Sequence, residues 1–578
     1  MIKRNLIIPV LIILTLLPLN GQIKKQEAGL KREITLYNPY KPTLPEAKKR
    51  SFLPDMNDTS KVRPDFHYDV KTTPFLPEYT ISPIKAAALL ADPLPKLYKS
   101  YINFGLGNYL TPLAEISITN ERSKKGSIGL YARHFSTNGR IMLDNGYQPF
   151  AGYMDNDASL FGRKFFRKST LEGSVDYSGK TRHAYGYDPF VSDYFPSAKE
   201  TRLTYHNLGA KASLSSLTLD STEFSYNFHV SVDHFSSANN KFQNKIGISG
   251  MMAKSYNGFY LGSDLSYDHY SFSDNLLISP GYIFAISPFL KKSSDEWSLK
   301  LGIKALLEKD FTASTSLHVY PDINFSFNIV PSYVRFFAGL GGKMEKNEPL
   351  KIITENPFLI SNGSLYKLPN TSQDLVISTG LKGNTGLGGN YTVSASYSMI
   401  SNMLFYSNLV IPDTISTPNR GNYFTALFDD VNILNIHAEM SGPINDQFSF
   451  NGAVNLYQYN LSRFQYAWNK PGWDGKLGLK YNLRDKIIAG MEISVQGIRR
   501  MIVNGEALSP LTRFPQQTPA RIVEMPEFFN LNLSAEYRYS KILSFWTKLN
   551  NVSYKRYYEW AYYPSQRFLL MVGFTYSL

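Results

Sequence analysis

The chain has 578 residues, of which 14% are aromatic (40 Tyr and 37 Phe), no cysteine and a formal net charge of +14. The absence of cysteine excludes disulfides, thiolate metal sites, cysteine nucleophiles and a lipidated N-terminal cysteine. The mean hydropathy of −0.24 looks soluble, but a membrane barrel reads the same way, because half of every strand faces water.

The N-terminus carries an export signal. Lys3 and Arg4 form a basic start, Leu6–Leu19 is apolar apart from breaks at Pro9 and Pro18, and Asn20, Gly21 and Gln22 follow. This pattern predicts a signal peptide over residues 1–21, cut near Gly21. The apolar run is too short for a membrane anchor, and no later run reaches the ~20 apolar residues of a spanning helix. Residues 22–96 read as a Pro-rich periplasmic or lumen-lining segment, with Tyr37-Asn38-Pro39-Tyr40-Lys41-Pro42, Arg63-Pro64-Asp65 and Phe75-Leu76-Pro77. Proline removes donors and favours extended backbone. One helix is expected there, capped by Ser82, with Pro83 at its first position, running from Ile84 to Ala91 and stopped by Pro93 and Pro95. Arg63, Phe66, His67, Tyr68 and Lys71 are expected to face a polar lumen wall carrying Asp233, Asp264 and Asp268.

From residue 97 to 578 the texture is uniform. Phe224, Tyr226, Phe228, Val230 and Val232 alternate with Ser225, Asn227, His229, Ser231 and Asp233. Ile323, Phe325, Phe327 and Ile329 alternate with Asn324, Ser326 and Asn328, and Phe529 to Ser540 does the same. Period two gives each strand one apolar and one polar face. The strands match the roughly 9–11 residues needed to cross a bilayer at a tilt. Short turns are expected near Phe166–Ser169, Lys254–Gly258, Pro331-Ser332, Gly442–Gln447, Arg484–Lys486 and Ser540-Lys541. Short connections near 109, 237, 274 and 310 alternate with them. The remaining connections are long, near 136–158, 187–200, 345–372, 406–423, 461–474, 502–527 and 555–566. This predicts an all-β transmembrane antiparallel barrel of about 22 strands, with short periplasmic turns and longer extracellular loops. The loops at 345–372 and 502–527 are expected, with the N-terminal segment, to obstruct the lumen.

The end of the chain carries Asn551, Lys555, Tyr557, Tyr563, Pro564 and Arg567 ahead of a closing strand from Phe568 to Leu578. This resembles the C-terminal strands of TonB-dependent receptors, with Gln566 where that family usually has Gly. The resemblance implies a receptor-type barrel in the outer membrane of a Gram-negative bacterium, acting as a transport channel or receptor. That family also carries a globular plug, which the Pro-rich segment does not resemble, so this barrel is expected to lack one. Glu33-Ile34-Thr35-Leu36-Tyr37 is similar to the peptide that engages TonB. By the same resemblance, the apolar face formed by Phe568, Leu570, Val572, Phe574, Tyr576 and Leu578 is the strand read by the barrel-assembly machinery.

Catalytic chemistry is not indicated. No phosphate loop or zinc-binding His-Glu-x-x-His occurs, and no cofactor is expected. Asp264 and Asp268 share a strand face while His269 points the other way, which predicts lumen lining rather than a metal site. His229 and Asp233 share a face without a nucleophile. The basic residues are scattered among turns, as in Asn120–Gly126, and suit solvated turns and anionic lipid head groups rather than nucleic acid. The alternative to transport is a plugless structural or assembly subunit of an outer-membrane complex, partnered by another envelope protein.

Overall fold

The computed structural model describes residues 98–578 apart from 121–122, 188–196, 218–223, 238–240, 277, 311–312, 360–363, 387, 412–418, 504–519 and 567. The expected signal peptide, Pro-rich segment, helix at 84–91 and TonB-box-like run Glu33–Tyr37 lie outside the described residues, as does the question of a plug.

A single sheet contains 24 strands. Two of them, Arg499–Val503 and Arg521–Met525, form a hairpin outside the wall, because Ile487–Gln496 pairs directly with Phe528–Arg538. That leaves 24 − 2 = 22 wall strands, each antiparallel to its sequence neighbour, and the first, Ser100–Gly107, pairs with the last, Leu569–Ser577. The wall is a closed 22-strand barrel. Both ends of the wall lie at one rim, where Ser100 and Leu578 exchange backbone hydrogen bonds of 3.1 and 2.9 Å.

The connections sort by rim. At the rim holding the chain ends they are tight: 166–168, 257–258, 294–296, 331–333 and 484–486. Asn257 and Gly258 both have positive φ (49° and 78°), the geometry of a primed hairpin turn, and Arg484 and Asp485 repeat it at 51° and 55°. The opposite rim carries the long segments 138–152, 184–201, 346–370, 462–472, 497–527 and 551–568.

One expected loop is a correction. Residues 406–423 were expected to form an irregular connection, but Asn390–Ile411 and Asn419–Pro443 continue pairing through most of it, with Phe405 opposite Leu427 and Leu409 opposite Tyr423. Ser407 and Asn408 also pair in parallel with Ile502 and Val503 of the hairpin. The hairpin itself occupies part of the expected loop at 502–527. Leu404, Phe405 and Tyr406 are buried in succession, so both faces of this strand are covered. A strand covered on both faces loses its period-two signal.

The outward face is apolar around the wall. Val230, Val232, Ile246, Ile248, Ile303, Val319 and Val572 are exposed there, as lipid contact requires. The inward face is polar. Arg133 bridges Glu115 at 3.1 Å and Asp157 at 3.8 Å, Asp155 holds Arg182 at 2.8 Å and Lys300 meets Asp322 at 2.5 Å. These pairs are partly solvated and contribute about 0–1 kcal/mol each, so they line the lumen without holding the wall together.

The closing seam has its own device. Phe104 and Phe574 are cross-strand partners on the lipid side, with ring centroids 6.0 Å apart. On the lumen side Trp546 lies over Gly573 of the last strand and Gly105 of the first, and its Nε1–H donates to Asn103 Oδ1 at 2.8 Å. A Cβ at either glycine would run into the indole. Glycine is needed here for close approach, and one ring covers the joint.

Two predictions follow from the seam. Removing Phe574–Leu578 deletes the pairing of Tyr101 to Phe104 and leaves an open edge, so no heat-modifiable barrel should accumulate on gel electrophoresis. Gly105→Val should overpack the Trp546 joint and cost about 1–3 kcal/mol, read as a lower urea midpoint for unfolding from detergent micelles.

Candidate functional site

The segment between the thirteenth and fourteenth wall strands, Val334–Glu345 and Thr371–Asn384, crosses the loop-bearing mouth. It contains a short helix, Pro349–Glu355, started by Pro at its first position and closed by the Asn356 N–H on the Ile352 carbonyl at 2.7 Å. The preceding residue, Glu348, makes no side-chain cap. Its carboxylate accepts instead from Lys245 Nζ at 2.7 Å and Tyr270 Oη at 3.1 Å, on the eighth and ninth strands. At the other end of the helix, Glu355 accepts from Lys470 Nζ at 2.9 Å and Tyr406 Oη at 3.2 Å. Lys180, on the fifth strand, reaches Thr354 Oγ1 at 3.2 Å. Lys346 stacks over Tyr270 at 4.2 Å, and burial there holds its ammonium below the usual lysine range.

Phe358 shows how far the segment reaches. Its ring stacks on Tyr563 at 4.1 Å and meets Tyr185 at 6.2 Å, while its carbonyl accepts the Phe424 N–H at 3.0 Å. Tyr185 follows the fifth strand, and Tyr563 precedes the last. Both are roughly eight strands away from the segment's own origin, on either side of the ring. The segment therefore spans the mouth. Ile352, Ile353, Leu359, Leu365 and Tyr366 are buried in one apolar cluster with Tyr205, Phe235, Tyr406, Phe424, Met501 and Trp560. This cluster is a roof. The expectation that 345–372 folds inward agrees with this geometry. From the second expected segment, Val503 and Met525 join the roof beside Met501, which precedes it, while 504–519 is outside the described residues.

The motif residues near the C-terminus lie in the last long loop. Asn551 has φ 51° and its amide donates to the Lys555 carbonyl at 2.8 Å, closing the turn. Lys555 lies over the Phe529 ring at 5.4 Å, and Tyr557 packs edge-on against Phe528 at 4.4 Å. Tyr563 is buried in the roof, where loss of water raises its hydroxyl pKa well above the usual tyrosine value. The Pro564 carbonyl accepts from Tyr185 Oη at 2.9 Å. Arg567 is outside the described residues. Phe568, Leu570, Val572, Phe574, Tyr576 and Leu578 share the outward parity of the closing strand, with Leu570, Val572, Phe574 and Leu578 exposed.

Two of the acidic residues noted on the lumen side, Asp233 and Asp268, flank the same lysine, Lys245. Asp268 lies 3.9 Å from Lys245, Asp233 is opposite Lys245 in register, and His269 stacks with Tyr267 on the outward face. Among the described residues no group of three or more His, Asp or Glu side chains is arranged to hold a metal.

Beneath the roof lies a cavity of about 610 Å³. Its walls come from the upper ends of the fourth and fifth strands, Tyr153–Phe165 and Ser169–His183, and from Asn530, Asn532 and Asn550 across the seam. Tyr153, Tyr557 and Phe358 supply its aromatic surface.

The comparisons bear on the wall. No protein-family model matches the sequence, and no curated protein matches it. Solved structures do. The FrpB iron transporter from Neisseria meningitidis superposes with a TM-score of 0.63 at 10% identity, over 84% of this chain and 82% of that one. The pyoverdine receptor FpvA from Pseudomonas aeruginosa gives 0.61 at 12% identity, over 84% and 79%. The ferric-catecholate import receptor Fiu from E. coli gives 0.58 at 9%, over 84% and 82%. The fold is that of a TonB-dependent receptor barrel.

For this barrel, the roof was the part least visible in the sequence. A signal was present. The last loop holds Tyr557, Tyr558, Trp560, Ala561, Tyr562 and Tyr563, too apolar a run for a solvated loop. Phe358→Ala should remove the stack on Tyr563 and weaken docking of the segment by about 3–5 kcal/mol. The expected readout is faster proteolysis within 346–370, with the barrel's heat-modifiable migration unchanged. Equal protection in the variant would mean that the roof does not depend on this ring.

Proposed function

We propose that this chain is a non-catalytic transport channel or receptor of the outer membrane of a Gram-negative bacterium, held shut at its outer mouth by its own loops. The observation that carries this reading is the segment 346–370 lying across a closed barrel with a polar lumen below it. A wall of this strand number encloses an aqueous space unless something fills it. The roof is apolar on its inside and tethered by ion pairs at its ends, an arrangement suited to a part that closes a passage. The solved relatives support the class. Those proteins are described as an iron transporter, a pyoverdine receptor and a ferric-catecholate import receptor. What they lend this chain is transport, not their cargo. Lipid, the assembly machinery that reads the last strand, and TonB through Glu33–Tyr37 are the partners this reading implies.

Planar-bilayer recording tests it. The intact protein should show almost no steady conductance, and deletion of residues 349–366 should open a large, stable one. An intact protein that already conducts like an open porin sinks the proposal. So does a deletion that stays silent while the protein copurifies with a stoichiometric envelope partner, an outcome that favours the assembly-subunit alternative.

A further inference from the structure

We infer that the lipid-facing side of the closing seam is a specific site for a two-chain phospholipid with an anionic head group. This rests on the membrane placement in the proposed function and not on transport. Alternate residues of a strand share a face, so outward side chains form rows across the paired strands. In the row nearest the tight-turn rim the partners are Tyr537, Phe545, Phe574 and Phe104, all aromatic. One row further in they are Ala489, Ala535, Thr547 and Val572. The row beyond is bulky again, with Met491, Leu533, Leu549 and Leu570. Small side chains between two bulky rows hollow the wall. Two apolar grooves result, of about 630 and 450 Å³, and they meet at Ala535 and Thr547. The larger one crosses the joint between the first and last strands, where Phe574 faces Phe104 and Val572 faces Leu106.

In a bilayer a hollow on this face is filled by hydrocarbon, and two grooves that meet suit the two chains of one lipid. A second copy of the chain fits poorly, because two convex walls touch along a line and leave a trough between them empty. The head group is argued from the rim. Turns 484–486 and 539–542 stand at the rim end of the grooves. Lys486 Nζ donates to the Tyr539 carbonyl at 3.2 Å and lies 5.8 Å from the centre of the Tyr537 ring, which holds the ammonium beside the groove. Lys541 is exposed in the neighbouring turn. Neither lysine meets a carboxylate among the described residues.

The acids of the same stretch are committed elsewhere. Asp485 accepts from Asn482 Nδ2 at 2.7 Å and lies 4.0 Å from Arg538, which also holds Glu536 at 3.3 Å. Two ammonium groups without a counter-ion at the end of an apolar trough match a phosphate above two acyl chains. Each lysine at a membrane surface raises the affinity for an anionic lipid by about fivefold. Exposed Tyr537 and Tyr539 add the amphipathic rings favoured at head-group depth. Because the larger groove bridges the seam, a lipid that binds only the closed wall favours closure by mass action.

The test uses the full chain in nanodiscs and vesicles of phosphatidylethanolamine with phosphatidylglycerol, and in phosphatidylcholine alone. Native mass spectrometry after release from the nanodisc should find one phospholipid per chain, enriched in phosphatidylglycerol over the bulk bilayer. The urea midpoint for unfolding should be higher in vesicles that contain phosphatidylglycerol than in phosphatidylcholine. Lys486→Glu with Lys541→Glu should abolish both the enrichment and the shift. Ala535→Phe should fill the trough and lose the retained lipid whatever its head group. Arg167→Glu with Lys168→Glu, at another tight turn, should change neither, and unchanged heat-modifiable migration shows that each variant is folded. A midpoint indifferent to phosphatidylglycerol overturns the inference, as does enrichment that survives the Lys486 and Lys541 reversals or falls equally with Arg167 and Lys168. A second copy or another polypeptide displaced by Ala535→Phe overturns it as well. None of these substitutions touches the mouth, so failure of the lipid site is separable from failure of the transport reading.

Discussion

Every backbone N–H and C=O that meets lipid must find a partner within the protein, since each one left unpaired in hydrocarbon costs several kcal/mol. In this chain that requirement is met only when the first strand pairs with the last. Seven residue pairs, from Tyr101–Ser577 to Gly107–Met571, make the joint. The rest of the architecture depends on it. An even strand count puts both wall ends at one rim, which assigns the tight turns to that side and the long segments to the other. Trp546 over Gly105 and Gly573 is the local answer to the same constraint, a single ring covering two backbones at the place where the chain has no covalent continuity.

Closure also divides the labour between faces. Outward side chains meet only lipid, so they carry the apolar pattern without needing close packing. Inward side chains meet water and each other, and form partly solvated ion pairs whose net contribution is small. Tight apolar packing is concentrated elsewhere, at the mouth, where Phe358, Phe424, Tyr406, Trp560 and Tyr563 meet. The molecule is thus inverted relative to a soluble domain. Its framework is held by ladder hydrogen bonds, and its hydrophobic core sits at the mouth, where loop residues such as Phe358 and Tyr563 pack on strand residues such as Tyr205, Tyr406 and Phe424.

This inversion explains what the sequence disclosed. Wall strands such as Phe224–Asp233 and Ile323–Ile329 are one-sided, so each announces itself by alternation, and the turn at Asn257-Gly258 is written in residues that accept positive φ. The strand count, the rim assignment and the face of the closing strand were all legible for that reason. The extension of Asn390–Ile411 beyond the wall was not, because burial on both sides erases the period. The roof was equally hidden. Its residues come from segments far apart in the chain, such as Tyr185, Phe358 and Tyr563, and nothing local says that they meet. The cavity inherits the difficulty, since Asp155 and Arg182 face Asn530 only once the barrel has closed.

The energetic separation between wall and roof bears on how such a barrel operates. The wall cannot open by degrees, because parting any two strands exposes unpaired backbone to lipid along their whole length. The roof has no such constraint. Its tethers, Lys245–Glu348 and Lys470–Glu355, are partly solvated pairs of about 0–1 kcal/mol each. Its aromatic contacts contribute more, but they sit outside the hydrocarbon layer, where exposed backbone can be hydrated instead of orphaned. Undocking the 346–370 segment therefore costs the burial of a handful of side chains and leaves every wall ladder intact. Local opening of this kind is drawn from the low-stability end of a structure while the global fold stays in place. The proposed transport reading needs this ordering, a mouth far more weakly held than the frame around it, and the bilayer enforces the difference.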